Sequence, residues 1–358
     1  MYNHTTNQQS LPILGKIHPD FFNKIIYPRL GAADPKVLIG PRAGVDFGVI
    51  DLGDEVMVLS TDPFYIAKEL GIKKAAWFAV HIVASDVAVS GIQPKYLTID
   101  LNLPPEMTEH ELSLMWEAVD EECKKLSINI ITGHTARYAG CNYPMVGGAT
   151  VIGIGKKEKL ISPQARIGDV IIITKGPAIE TTGLLATYFP DVLKNKFDDT
   201  TVTAAQEIYY QMSTVKDAAI VADVGGATAM HDATECGIWG GLYEMAKNSK
   251  VGMNIYQDAI IVQSIVQKTC AAFNIDPYQA ISEGTLLVTA DKNKAKAIIT
   301  ALKQENIPAS ICGEIIAENE GLNIIKQIKI PLEHPKIDPF WICFEDQLTK
   351  KANKNIAK

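Results

Sequence analysis

Apolar and polar positions along the chain follow two periods, and the switches between them mark out elements. Val45–Asp51 and Val56–Ser60 are short, apolar-rich and strand-like. Gly53-Asp54 between them is a hairpin signal. Ala75–Val89 is long, apolar and helical in length. Tyr96–Leu101, Ile128–Thr132 and Met145–Ile154 read as strands, the last with glycines inside it. Thr108 and Glu111 have the spacing of a capping box. Leu112, Met115, Trp116, Val119 and Cys123 then recur on one face of a helix. Further on, Val170–Thr174, Ala218–Ala222 and Gly284–Ala290 read as strands, and Ile179–Tyr188 and Asn293–Glu305 as helices.

The pattern divides the chain. Residues 1–40 form an arm, with a short helix near Phe21–Tyr27 and a turn-rich link. Residues 41–160 form one mixed unit and 161–335 a second, joined through the polar connector Ser162–Asp169. Residues 336–358 form a tail that frays from Lys350. A length of 358 residues exceeds what one core usually supports. The fold class expected is α+β with two domains.

Charge narrows the function. A net charge of −7 argues against nucleic acid as partner, which favours a basic face. His81 and Asp86 interrupt the longest apolar stretch, so a buried helix is expected rather than a membrane span. The six cysteines form no C-x-x-C pair, which fits a reducing cytoplasm.

The candidate chemistry lies in aspartates beside glycines and at strand ends. Asp46 in GVDFGVID, Asp62 in STDPF and Asp86 in ASDVAVSG are costly in apolar settings unless paired or bound to a cation. Magnesium suits such carboxylates, but a single aspartate beside glycine is more often a turn or cap residue than a ligand. TGHTARYAG reads as a strand-end loop, in which Gly133, His134 and Thr135 could face phosphate or metal and Arg137 adds charge. Asp223 and Asp232 flank glycines ahead of a helix near Gly237, whose N–H groups could bind an anion. Gly237, Gly240 and Gly241 in that helix suggest close packing or ligand approach. Lys175, after a buried strand, could touch phosphate or be an ordinary solvated lysine.

Taken in order, GVDFGVI, STDPF, SDVAVSGIQPKYLT, TGHT and HDATECGIWGGLYEMA resemble the blocks of the aminoimidazole ribonucleotide synthetase superfamily. The longest two, with SEGTLL and CGEI, look most similar to its hydrogenase-maturation dehydratase branch and that branch's uncharacterised relatives. The resemblance spans roughly residues 13–330. It implies N-terminal domains that pair into a β-barrel homodimer, and ATP with Mg2+ in a cleft between domains. By position, Asp46, Asp62 and Asp86 match the family's metal and phosphate aspartates, and Asp232 and Thr234 its second-domain motif. His134 stands where many members have an acid. On this reading Asp62, Asp86 and His134 are catalytic. Asp46, Gly133, Thr135, Lys175, Asp232 and Thr234 complete the nucleotide site.

The activity implied is ATP-dependent phosphorylation of an amide-type oxygen, on a small molecule or a partner-tethered group, with maturation-factor proteins as possible partners. The alternatives are a cyclo-ligase of purine synthesis, a thiamine-monophosphate kinase, or a non-catalytic nucleotide-binding scaffold. The maturation branch is expected to end in a substrate-bearing cysteine. Here the last cysteine is Cys343, in FWICFEDQ, whose large apolar neighbours suggest a packing role. No cysteine precedes Cys123, which disfavours selenophosphate synthesis.

Overall fold

The computed structural model describes residues 15, 17 and 19–356, so the first part of the expected arm lies outside the described residues. The first domain contains α1 (Pro19–Phe21), which continues into a π-helical turn, then β1 (Val37–Ile39), β2 (Gly48–Asp51) and β3 (Glu55–Tyr65). α2 (Ile72–Ala88), β4 (Tyr96–Leu103), α3 (Glu109–Lys125), β5 (Asn129–Arg137) and β6 (Met145–Lys156) follow. Its sheet runs β1-β2-β3-β6-β4-β5, antiparallel except for the β4–β5 pair.

The local rules work as the sequence suggests. Gly53 turns the β2–β3 hairpin at φ 92°, a conformation open to glycine. Thr108 and Glu111 form the reciprocal capping box of α3. Leu97, Ile99, Leu101 and Leu103 of β4 are all buried, and α2 and α3 pack against each other over the sheet. The alternate residues of β4, Tyr96, Thr98, Asp100 and Asn102, lie on the other, less covered face.

The second domain contains β7 (Val170–Thr174), α4 (Ile179–Tyr188), α5 (Pro190–Lys194), α6 (Asp199–Glu207), α7 (Val215–Val224), β8 (Ala227–Asp232) and α8 (Gly237–Ser249). β9 (Gly252–Tyr256), α9 (Ser264–Phe273), β10 (Leu286–Ala290), α10 (Lys292–Gln304), β11 (Ala309–Ile316), β12 (Leu322–Ile325), β13 (Lys329–Pro331) and α11 (Pro339–Ile356) complete it. Its sheet order is β13-β12-β9-β11-β7-β10-β8. The pairing gives β7, β8, β9 and β12 one common direction, so their carboxyl ends share one edge. α8 packs with one apolar core on one face of this sheet.

Two expectations fail. Ala218–Ala222 is not a strand but the middle of α7. Its short apolar run fits either element, and Thr174 and Lys175 engage Asp217 on that helix. The tail does not fray at Lys350, since α11 continues to Ile356. Phe344 anchors it edge-on to Tyr188 and Phe189, with ring centroids 4.9 and 5.3 Å away.

Candidate active site

The domains meet along an acidic seam. Asp46 precedes β2, and its Oδ2 lies 2.7 Å from His231 Nδ1 on β8. The other imidazole nitrogen is 3.5 Å from Glu244 of α8. Burial disfavours charge on this ring, but Asp46 and Glu244 outweigh it and raise the His231 pKa to about 10. Gly241 allows the close approach, because a Cβ there would press on Leu287 and the His231 ring. Close packing therefore accounts for this helical glycine.

Asp46, His231 and Asp232 each present a ligand atom within 4.8 Å of the others. Asp62 on β3 and Asp86 on α2 extend the cluster, and Ser60 donates to Asp86 Oδ2 at 2.6 Å. Burial, together with Asp232, Asp62 and Asp46, pushes the Asp86 carboxyl well above its ordinary range. Burial, then Asp232, Glu180 and Asp62, does the same to Glu283. One Glu283 oxygen is buried with no hydrogen-bond partner. This many crowded carboxylates is unfavourable without a cation.

His231, Glu244, Glu283 and Glu180 are members that sequence reasoning missed. His231 was legible as the residue beside Asp232 in the same block. The glutamates come from separate segments that only the fold brings together. Thr234 lies in the loop leading to α8, where its carbonyl accepts from Gly237 and Ser282.

Three other expected site groups lie elsewhere. Gly133, His134 and Thr135 are not in a strand-end loop, because β5 continues to Arg137. The row from Asp62 passes through Ala149 and Ile99 to Gly133, three strand spacings or about 14 Å. His134 is exposed on the edge strand and bonds Tyr138 at 2.9 Å. Arg137 donates to the Met107 carbonyl. Lys175 is neither solvated nor presented to a ligand. Its ammonium is buried, 2.8 Å from Asp217 and 2.7 Å from the Ser213 carbonyl.

The start of α8 is similarly occupied. Cys236 N–H donates to Asp338, Gly237 N–H to Thr234 and Trp239 N–H to Tyr278. Asp223 is exposed in the last turn of α7, just ahead of the Gly225-Gly226 turn. Cys343, half-buried on α11, has its thiol pKa raised to about 11 by burial and faces the Phe273 carbonyl.

Residues 44–155 match the N-terminal domain of AIR synthase related proteins, and residues 166–324 match the C-terminal domain. The chain belongs to this family. A putative hydrogenase expression/formation protein of Methanocaldococcus jannaschii is 23% identical, over 87% of this chain and 91% of its own. The carbamoyl dehydratase HypE of Bradyrhizobium diazoefficiens is 24% identical, over 77% and 79%. Among solved structures, hydrogenase maturation protein HypE in complex with ATP aligns with a TM-score of 0.63. It is 19% identical, over 88% of this chain and 93% of that one. These likenesses agree with the two-domain α+β fold. Among the described residues, no helix is long and apolar enough to cross a membrane.

Proposed function

We propose that this chain is an ATP- and Mg2+-dependent enzyme that phosphorylates an amide-type oxygen. The observation that carries this reading is the buried acidic seam, with carboxylates from both domains around the Asp46–His231–Asp232 trio. The donor set fits a divalent cation, since carboxylate oxygens suit Mg2+ and the crowding raises Asp86 and Glu283. Asp46, Asp62, Asp86 and Asp232 would hold it. Bound magnesium would neutralise charge on the transferring phosphoryl group. Asp62 and Asp86 would orient nucleotide and acceptor through that charge, and Thr234 would border the nucleotide in the loop before α8. The family relatives named for hydrogenase maturation support an amide-type acceptor.

The reading also calls for a second copy of the chain. β5 is the outer strand of its sheet, with Ile131 exposed on it and Tyr138 exposed just past its end. Pairing of two first domains through this edge and the less covered sheet face would make a homodimer. It would carry Gly133, His134 and Thr135 toward the partner's cleft, a role they do not have within one chain. Light scattering that returns a monomer mass would remove them from the site.

Release of ADP, followed with Mg2+ across a set of carboxamide acceptors, tests the activity. Wild-type turnover that collapses in Asp62→Asn supports the assignment, and turnover indifferent to that change refutes it.

A further inference from the structure

Two loops of the second domain bring its share of the seam together. One, residues 233–236, leaves β8 after Asp232, carries Thr234 and ends in the turn that starts α8. The other, residues 281–285, carries Glu283. The loops are stitched to each other, because Ala233 N–H donates to the Thr285 carbonyl at 2.9 Å and Ser282 N–H to the Thr234 carbonyl at 3.2 Å. The first loop ends in an unfavourable conformation. Cys236 has φ 63° and Gly237 φ 59°, so two successive residues are left-handed and one of them bears a side chain. Such a turn persists only where neighbouring groups hold it.

The group that holds it comes from beyond the family-matched residues, which end at 324. Asp338 is buried just ahead of α11, and its two oxygens serve different elements. Oδ1 accepts from Phe340 N–H at 2.8 Å, which caps α11, and Oδ2 accepts from Cys236 N–H at 2.6 Å. Ile281 N–H also donates to the carboxyl. One side chain therefore joins the last helix to both loops. Burial, with Glu235 nearby, pushes Asp338 up to about 7, and the three amides pull it the other way, as donors to a carboxylate do. The helix that carries Asp338 is anchored by other contacts. Phe340 is buried, Phe344 packs edge-on against Tyr188 and Phe189, and Trp341 Nε1 donates to Glu235 of the first loop at 3.3 Å.

We propose that Asp338 is a positioning residue for the nucleotide site: from the foot of α11 it holds the Cys236 turn and the Glu283 loop in the arrangement that presents Asp232, Thr234 and Glu283 to the cleft. The role rests on the nucleotide reading above. It acts through the two loops and touches neither cation nor nucleotide. Because the acceptor lies outside the family-matched residues, the device belongs to this chain's own C-terminal segment.

Asp338→Asn tests this selectively. Its oxygen can keep the local bond to Phe340, since asparagine is a good cap, and its NH2 then meets the Cys236 amide, donor against donor. The readouts are hydrogen exchange of the full chain without metal or nucleotide, and calorimetric titration of AMP-PNP at saturating Mg2+, both at about pH 8.5. Expected in the variant are exchange about tenfold faster in peptides spanning 233–241, unchanged exchange over 342–356, and AMP-PNP binding weakened about tenfold or more. In the Asp338→Asn, Cys236→Gly double variant, glycine adopts the left-handed turn unaided, and at least about threefold of the affinity should return. Unchanged exchange over 233–241 overturns the proposal. Faster exchange with wild-type AMP-PNP affinity also overturns it, because Asp338 is then only a structural acceptor, and so does a double variant with no recovery. Should Asp338→Asn fail to fold, Asp338→Ser, which keeps the cap and brings no donor to Cys236, is judged by the same criteria. A wild type that does not bind AMP-PNP overturns the nucleotide reading, and this role with it.

Discussion

The two domains touch along two seams of opposite character. At one, Asp46, Asp62 and Asp86 meet Asp232 and Glu283, with the His231 imidazolium among them. At the other, α2 meets the segment 206–214 through a run of hydrogen bonds, with the Thr214 hydroxyl the exception. Tyr209 donates to the Lys74 carbonyl, and Lys74 donates to the Gln206 carbonyl. His81 joins Ser213 at 2.8 Å and Glu122 at 3.3 Å, under a Trp77 ring stacked 4.2 Å away. Ser85 accepts from Thr214 N–H. Lys175 ties the same loop to Asp217. A charged cleft persists in the folded chain because the hydrogen-bonded seam holds the domains together, with the Asp46–His231 pair the acidic seam's own link.

The contrast can be broken most forcefully at Lys175. Lys175→Met strands Asp217 as a buried, uncompensated charge and should destabilise by about 3–5 kcal/mol in chemical denaturation. A loss under 1 kcal/mol, on the order of a surface pair, would show that the Lys175–Asp217 pair does not brace the loop that α2 packs against. The acidic seam should respond the other way. Asp62→Asn is expected to lower ADP release at least about a hundredfold, or 2.7 kcal/mol of barrier, with little loss of melting temperature. A variant that melts early would instead place Asp62 among structural residues.

Acidity sharpens the same comparison. The folded-state pKa of His231 is raised from 6.5 to about 10, so its stabilisation is full below 6.5 and disappears as pH rises toward 10. Asp86 and Glu283 are raised as well, and their contribution is likewise lost as pH rises through their folded values. Metal-free protein should therefore lose stability on going alkaline, by up to roughly 1.4 kcal/mol per pH unit per proton. Saturating Mg2+ and AMP-PNP should flatten that slope, because cation and proton compete for the same groups. Melting curves across pH, with and without metal, check both. The smallest effect is at Ser213→Ala, which removes one hydrogen bond to His81 and should cost about 1 kcal/mol with turnover retained.

Much of this was legible in the sequence, and the gaps have physical causes. The hairpin at Gly53, the capping box at Thr108 and the packed α3 face are local, so pattern alone located them. The aspartates stood out because carboxylates in apolar runs need a partner. The loop reading of TGHT fails because the segment lies mid-strand on an exposed edge, where polar residues carry no penalty. Lys175 misled because its partner, Asp217, is 42 residues away and belongs to a helix read as a strand. Glu283 and Glu244 gave no sequence signal, since they reach Asp232 and His231 only when separate segments of the second domain fold together.

The most direct test of the central claim is calorimetric titration of AMP-PNP into the wild-type chain with Mg2+ and with EDTA. Saturable binding that requires Mg2+, and that Asp62→Asn weakens strongly, is the expected result. Equal affinity in EDTA, or in the Asp62→Asn chain, would contradict the claim that the acidic seam is a cation-dependent nucleotide site.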